Sequence, residues 1–269
     1  MTDVSTRVRG LVDRARREVA SVVAGRGPAQ SPTRRAADAS AYWRDGDDDR
    51  WASNSHFRDS DAFADDASLW GRVGREHLEL VRVAARAAGW TWDSPRVVDW
   101  GCGGGSTAVA VAPEARELVL VDLSARTLAE CARQVAATAD TPTVQVEVDV
   151  DAPEAVAGQV AGCDLFLSFY VLELVPSQEH GARILRVAAE ALVPGGLAVV
   201  QFKYDDGHRA SRPRRRGYAQ NLADMTTYTI PDFWALAESV GLRPVTLTLV
   251  PENELDRRYA YLAALKPQP

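Results

Sequence analysis

The sequence is short of several residue types. Among 269 residues there are two methionines, four histidines and three cysteines. Lys203 and Lys266 are its only lysines, so almost all of the 31 basic residues are arginine. Cys102, Cys131 and Cys163 form no CxxC pair, which argues against a disulfide framework or a zinc site and for a reducing compartment. No metal site is expected. No apolar run approaches the ~18 residues of a membrane helix. The first twenty residues lack the uncharged core of a signal peptide, and Asp3, Asp13 and Glu18 speak against a transit peptide. The expected location is therefore cytoplasmic. A net charge of −6 does not favour a general nucleic-acid-binding surface. With 46% hydrophobic and 25% charged residues, the composition is globular. The length suggests one large domain, or one domain with a smaller cap.

Two helical stripes precede the main body. Val4, Val8, Leu11, Val12, Ala15, Val19 and Val22 recur at spacings of three and four, a face that a subunit partner or the chain itself must cover. A homodimer through this arm is one expectation. Residues 24–40 read as a linker. Residues 41–66 hold Tyr42, Trp43, Trp51, Phe57 and Phe63 among eight Asp and three Arg. Such a stretch either packs over another part of the chain or is a surface loop anchored by its rings. Trp70, Val73, His77, Val81, Ala84 and Ala88 form the second stripe, ended by Gly89. The expected division is a helical cap or arm over 1–90 and a main domain over 91–269.

From residue 95 the rhythm changes. The runs 96–101, 117–124, 144–150, 163–170 and 197–204 are short and apolar, with helical stretches between them. That alternation predicts an α/β fold whose parallel sheet is covered on both faces. Pro194-Gly195-Gly196 is expected to break the chain before the fifth strand. Residues 244–250 and 257–265 are joined by a link too short for a helical crossover, so they are expected to pair antiparallel.

The strongest local signal is VVDWGCGGGSTA, residues 97–108. Glycines at a strand-to-helix turn let the backbone approach a ligand closely, and a helix N-terminus follows. Asp122 ends the second strand, 21 positions after Gly101, where a carboxylate accepts hydrogen bonds from a ribose diol. This much suits a nicotinamide dinucleotide or an adenosyl ligand, and Gly103, Gly105 and Ala108 satisfy a loose GxGxxA. Asp99 favours the second: it is placed to meet an ammonium group and would repel a pyrophosphate. Asp149, at the third strand end, is placed with Val150 to bound an adenine edge. It also reads as an ordinary strand-end or capping acid.

Taken together, the loop from Asp99 to Gly105, VDLS at Asp122, VDVD at Asp149, CDLFLSFYVLELVP and LVPGG resemble a class I S-adenosylmethionine-dependent methyltransferase over residues 91–269. The resemblance implies a Rossmann-like, seven-stranded, mostly parallel sheet whose seventh strand lies antiparallel beside the fifth. It implies S-adenosyl-L-methionine as cofactor, with the methionine part held by Asp99 and the loop Gly101, Cys102, Gly103 and Gly105. Asp122 would hold the ribose, Leu123, Asp149 and Val150 the adenine, and Ser168 would form the floor. Glu173-Leu174 stands where many relatives have Glu-His, so any general base must come from elsewhere.

Methyl transfer needs an acceptor held in line and, for a hydroxyl, a proton acceptor. The candidates are His208, His56 and Tyr204, with Tyr170 and Tyr218 as further polar helpers. His77 lies on an apolar stripe and reads as a core histidine, and His180 as solvated. His208 belongs to a loop, 202–221, of net charge +4 that follows strand five, where ligand crevices open. Such a loop either attracts an anionic group on the acceptor or is a solvated face. The acidic segment 41–66 would bring His56 over the same mouth. The chain lacks the Asn/Asp-Pro-Pro-aromatic cluster of nucleic-acid amine methylation, so the expected acceptor is a small molecule, a natural-product or sugar intermediate. The alternatives are a nicotinamide-dependent oxidoreductase, and a protein of this fold that catalyses rearrangement or acts only as a binding partner.

Overall fold

The structure is a computed structural model that describes residues 29–44, 49–252 and 257–268. The stripe from Val4 to Val22, with the dimer arm expected of it, lies outside those residues.

The apolar runs form one seven-stranded sheet. Strands β1 (Arg96–Trp100), β2 (Glu117–Asp122), β3 (Thr143–Glu147), β4 (Cys163–Ser168) and β5 (Leu192–Lys203) run parallel. Strands β6 (Arg243–Leu249) and β7 (Tyr259–Leu265) form the expected antiparallel pair, with β7 inserted beside β5. The order is β3-β2-β1-β4-β5-β7-β6. The order reverses where β4 follows β1, and a ligand crevice opens at the carboxyl ends of strands at such a point.

Both faces are buried. On one lie α6 (Ala157–Val160), α7 (Gln178–Ala191) and α8 (Ile230–Ser239), packed on Trp100, Phe166 and Phe202. On the other lie α3 (Ala67–Ala88), α4 (Ser106–Val111) and α5 (Ala125–Ala136), packed on Leu118, Leu120, Leu165 and Leu167. Each fully buried Leu or Val contributes roughly 1.5–3 kcal/mol. Helix α3 is the second stripe read from the sequence. Asp66 caps its start through the Ser68 amide, and Gly89 closes it at φ 63°. Its Leu78, Val81, Ala84 and Ala85 belong to the sheet's own core.

One local expectation fails. Pro194-Gly195-Gly196 does not precede β5 but lies within it. The parallel register to β4 shifts there, between Cys163 and Leu165, which absorbs the irregular residues as a bulge. The Gly195 amide donates to the Lys266 carbonyl, and the Lys266 amide to Gly196, so the antiparallel neighbour holds the bulge in the sheet.

The aromatic, acidic stretch packs over the body. Helices α1 (Pro32–Arg44) and α2 (Asp49–Asn54) carry Trp43 and Trp51, which meet Tyr218 and Met225 from the segment after β5. Trp51 Nε1 donates to the Trp43 carbonyl at 3.0 Å, Trp43 Nε1 to the Tyr218 hydroxyl at 2.8 Å, and that hydroxyl to the Leu174 carbonyl at 2.7 Å. Three buried polar groups are thereby satisfied in series, at the net ~1 kcal/mol usual for each such bond. No described helix is long and apolar enough to cross a membrane.

Candidate functional site

A cleft of about 130 Å³ of water-accessible volume opens at the carboxyl ends of β1, β2 and β4. One half is the glycine turn, and the other is the cap with the segment that follows β4.

The turn is shaped by its missing side chains. Gly101 has φ 76°, and a Cβ there would lie 2.2 Å from a methyl of Val171. A Cβ on Gly104 would lie 2.2 Å from the His56 carbonyl oxygen, because the cap rests directly on the loop. The Gly104 amide donates to the Ser55 carbonyl at 2.6 Å. Beneath the turn, Asp122 accepts from the amides of Gly103 at 3.1 Å and Leu123 at 2.8 Å. Loop and β2 terminus are thus one rigid unit.

Asp99 carries the unusual electrostatics. It is 3% exposed, and its Oδ2 has no hydrogen-bond partner among the described residues. Burial, then the nearby Asp122, push its carboxyl up to about 7. Burial pushes Asp122 up to about 6 against the lowering effect of its backbone bonds. Two buried acids at one turn, one with an unmet oxygen, form a site for a cationic group. Cys102 also lines the turn. Its buried thiol is raised well above the ordinary range and is no nucleophile.

The remaining residues expected at the cofactor divide. Leu123, Asp149 and Val150 line the cleft. Asp149 is half engaged elsewhere: it pairs with Arg44 of α1 at 2.9 Å and accepts from the Asp151 amide at 2.8 Å. Ser168 is fully buried on β4 and does not reach the lining. Its Oγ has no partner among the described residues.

Of the three catalytic candidates, His56 faces the cleft. It sits at φ 55° with its ring 5.1 Å from that of Tyr170. Burial lowers its pKa to about 4, so it is neutral at pH 7. His208 does not come to the site. It is exposed, on a loop turned outward by the Asp205 and Asp206 carboxylates, which cap the amides of Gly207 and His208, and by Ser211. Tyr204 is also outside the lining: it follows β5 and packs on the sheet's core, where Arg258 donates to its carbonyl. Among the described residues, the lining of the cleft contains neither Lys nor Arg, and none comes from the basic loop. Lys203 is buried and pairs with Asp224 at 3.1 Å. His77 is a core histidine, bonded to Thr107 Oγ1 at 2.7 Å and lowered to about 3, chiefly by burial. His180, expected in solvent, instead borders the cleft half-buried, held by Ser177.

Of the tyrosines expected as polar helpers, Tyr170 and Tyr218 line the cleft, and Trp43 joins them from the aromatic stretch. The aromatic richness of 41–66 was a signal for Trp43. The placement of the two tyrosines depends on long-range packing.

Residues 98–198 match the family model described as a methyltransferase domain. No curated protein matches the chain. Among solved structures, an S-adenosylmethionine-dependent methyltransferase from Methanosarcina mazei superposes with a TM-score of 0.54 at 12% identity, over 67% of this chain and 96% of that one. An N-methyltransferase from Bradyrhizobium japonicum gives 0.52 at 13%, over 72% and 95%. Magnesium protoporphyrin IX methyltransferase from Synechocystis, with bound SAH, gives 0.53 at 15%, over 72% and 84%. At such identities the structures speak for the fold. The matched segment, the superpositions and the strand order together show a methyltransferase-like domain over residues 98–198 within a Rossmann-like seven-stranded fold.

Proposed function

We propose that the cleft holds S-adenosyl-L-methionine in its glycine-lined half and an uncharged small-molecule acceptor in its aromatic half. The reaction is methyl transfer to a hydroxyl or amine of that acceptor, a biosynthetic intermediate of the cytoplasm. The unmet Asp99 oxygen carries this reading. A nicotinamide dinucleotide brings a pyrophosphate to this turn, which a buried carboxylate repels. An amino-acid ammonium satisfies it.

When bound, S-adenosylmethionine supplies an electrophilic sulfonium methyl group. The chain's own residues bind and orient. Asp99 takes the ammonium, the Asp122 carboxylate takes the ribose hydroxyls, and Leu123 and Val150 flank the adenine. Asp149 ties Arg44 and so fastens the cap beside that end. Residues 29–66 act as the cover that excludes water, part of the cap expected over 1–90. His56, neutral at pH 7, accepts a hydrogen bond from the acceptor's hydroxyl or amine and orients its lone pair. A side chain this weakly basic aligns the proton more than it holds it.

The acceptor's chemistry follows from the lining. Trp43, Phe169, Tyr170, Leu174 and Tyr218 offer rings and apolar surface with hydroxyl groups between them, and no cation. That favours a neutral, aromatic or heteroaromatic compound over an anionic one.

The experiment is incubation with methyl-tritiated S-adenosylmethionine and a panel of uncharged phenols and heteroaromatic amines, with S-adenosylhomocysteine quantified. Label transfer matched by S-adenosylhomocysteine is the expected result. Cofactor binding with no S-adenosylhomocysteine from any acceptor points instead to a rearrangement or a binding role. Preference for carboxylated or phosphorylated acceptors overturns the uncharged assignment and returns attention to the arginines of 209–216.

A further inference from the structure

Among the described residues, four other than glycine have positive φ: His56, Ser94, Tyr170 and Arg258. Two of them, His56 and Tyr170, meet edge to face and line the cleft. A tyrosine at φ 55° is strained, at a cost of about 1–3 kcal/mol, and persists only where its surroundings enforce it. The source of that enforcement is a buried glutamine. The parallel ladder between β4 and β5 ends at the pair Ser168–Val200, two residues before Tyr170. The Tyr170 amide donates to Gln201 Oε1 at 2.5 Å. Gln201 is fully buried on the central strand β5, within the apolar run LAVVQFK. Its Nε2 donates to the Tyr261 hydroxyl at 2.7 Å, and Tyr261 is its cross-strand partner on β7. Both ends of the carboxamide are therefore fixed, and its oxygen faces the backbone two residues beyond the end of β4. The Tyr170 ring that results is boxed by His56, His77 and Tyr259, at centroid separations of 5.1, 5.3 and 5.6 Å.

We propose that Gln201 is a positioning residue: oriented by Tyr261, its carboxamide holds Tyr170 in the left-handed conformation that sets the aromatic wall of the acceptor half of the cleft. This rests on the reading of that half as the acceptor site. The glycine-lined half does not depend on it. A carboxamide buried in an interior strand is costly unless it is hydrogen-bonded, and here one of its two bonds ends at a cleft residue.

The test uses the full chain and two probes, S-adenosylhomocysteine for one half of the cleft and 2-naphthol, a neutral aromatic, for the other. Calorimetry gives both affinities, and hydrogen exchange in protein labelled with ¹⁵N-tyrosine follows the Tyr170 amide. Gln201→Leu is expected to speed exchange of that amide by about a hundredfold and to weaken 2-naphthol about tenfold, with S-adenosylhomocysteine affinity held within twofold. Gln201→Glu keeps an oxygen for the amide and is expected to restore most of both losses. In a Tyr170→Gly background, which tolerates positive φ without help, Gln201→Leu is expected to change 2-naphthol affinity no further. Unaltered Tyr170 exchange in Gln201→Leu overturns the proposal. So do additive losses in the double variant, or an equal fall in S-adenosylhomocysteine affinity, which marks a general structural defect. If 2-naphthol does not bind the native protein, the reading of the aromatic half fails, while Tyr170 exchange still decides whether Gln201 holds the residue.

Discussion

The two halves of the cleft are built in opposite ways. The glycine half comes from residues close in sequence: one strand end, one turn and the end of the next strand. Its polar groups are acids, one of them unsatisfied. The aromatic half is assembled from distant parts. Trp43 meets Tyr218 across 175 positions. The donors of its Trp43 and Tyr218 are satisfied within the protein. The contrast suggests a division of labour. An unsatisfied buried acid is held ready for a cationic ligand. A satisfied aromatic wall recognises shape and leaves charge aside.

Breaking the first half should have the largest effect. Asp99→Asn removes the charge proposed to meet the ammonium. Affinity for S-adenosylmethionine should fall about ten- to a hundredfold by calorimetry, from loss of a charge-assisted bond of ~1.5–3 kcal/mol. The same substitution should stabilise the ligand-free protein at pH 8. The folded-state pKa of Asp99, about 7, is raised above the ordinary carboxylate value of 3.8. The folded state therefore binds more protons than the unfolded chain between those values, and stability falls as pH rises through that window. Above pH 7 the charged carboxylate is a net cost that asparagine lacks. A midpoint several degrees above native in a thermal melt at pH 8, with little difference at pH 4, is the expected pattern. Asp122→Ala should weaken the cofactor about tenfold, since it removes the ribose contact and loosens the Gly103 turn.

The second half should respond in turnover. His56→Ala is expected to lower kcat about tenfold with cofactor affinity unchanged, once an acceptor supports the assay. His208→Ala, far from the lining, should leave kcat within twofold. An equal loss in both would place the chemistry on the loop after β5. Smallest is Arg44→Ala. Its partner Asp149 is 44% exposed, so the pair is screened, and a change of at most about 0.5 kcal/mol in stability is expected by denaturant titration.

What was legible in the sequence follows the same division. The glycine turn, Asp99 and Asp122 announce themselves because their geometry is local, a strand end followed by residues that allow a tight bend. The sheet order and the antiparallel pair follow from apolar runs and link lengths. Pro194-Gly195-Gly196 misleads, since turn chemistry inside a strand reads as a stop until a neighbouring strand is known to hold the bulge. His208 stands in the expected loop, but side-chain direction depends on Asp205, Asp206 and Ser211, whose bonds no spacing rule foretells. Gln201 is marked in the sequence only as one amide-bearing residue within the apolar run LAVVQF.

The most direct test is a calorimetric titration of S-adenosylmethionine, and separately of NAD, into the native protein at pH 6 and pH 8. The account predicts binding of the first alone, tighter at pH 8 because Asp99 is then ionised, with that pH dependence lost in Asp99→Asn. Tighter binding of NAD, or an S-adenosylmethionine affinity that ignores both pH and the substitution, would contradict it.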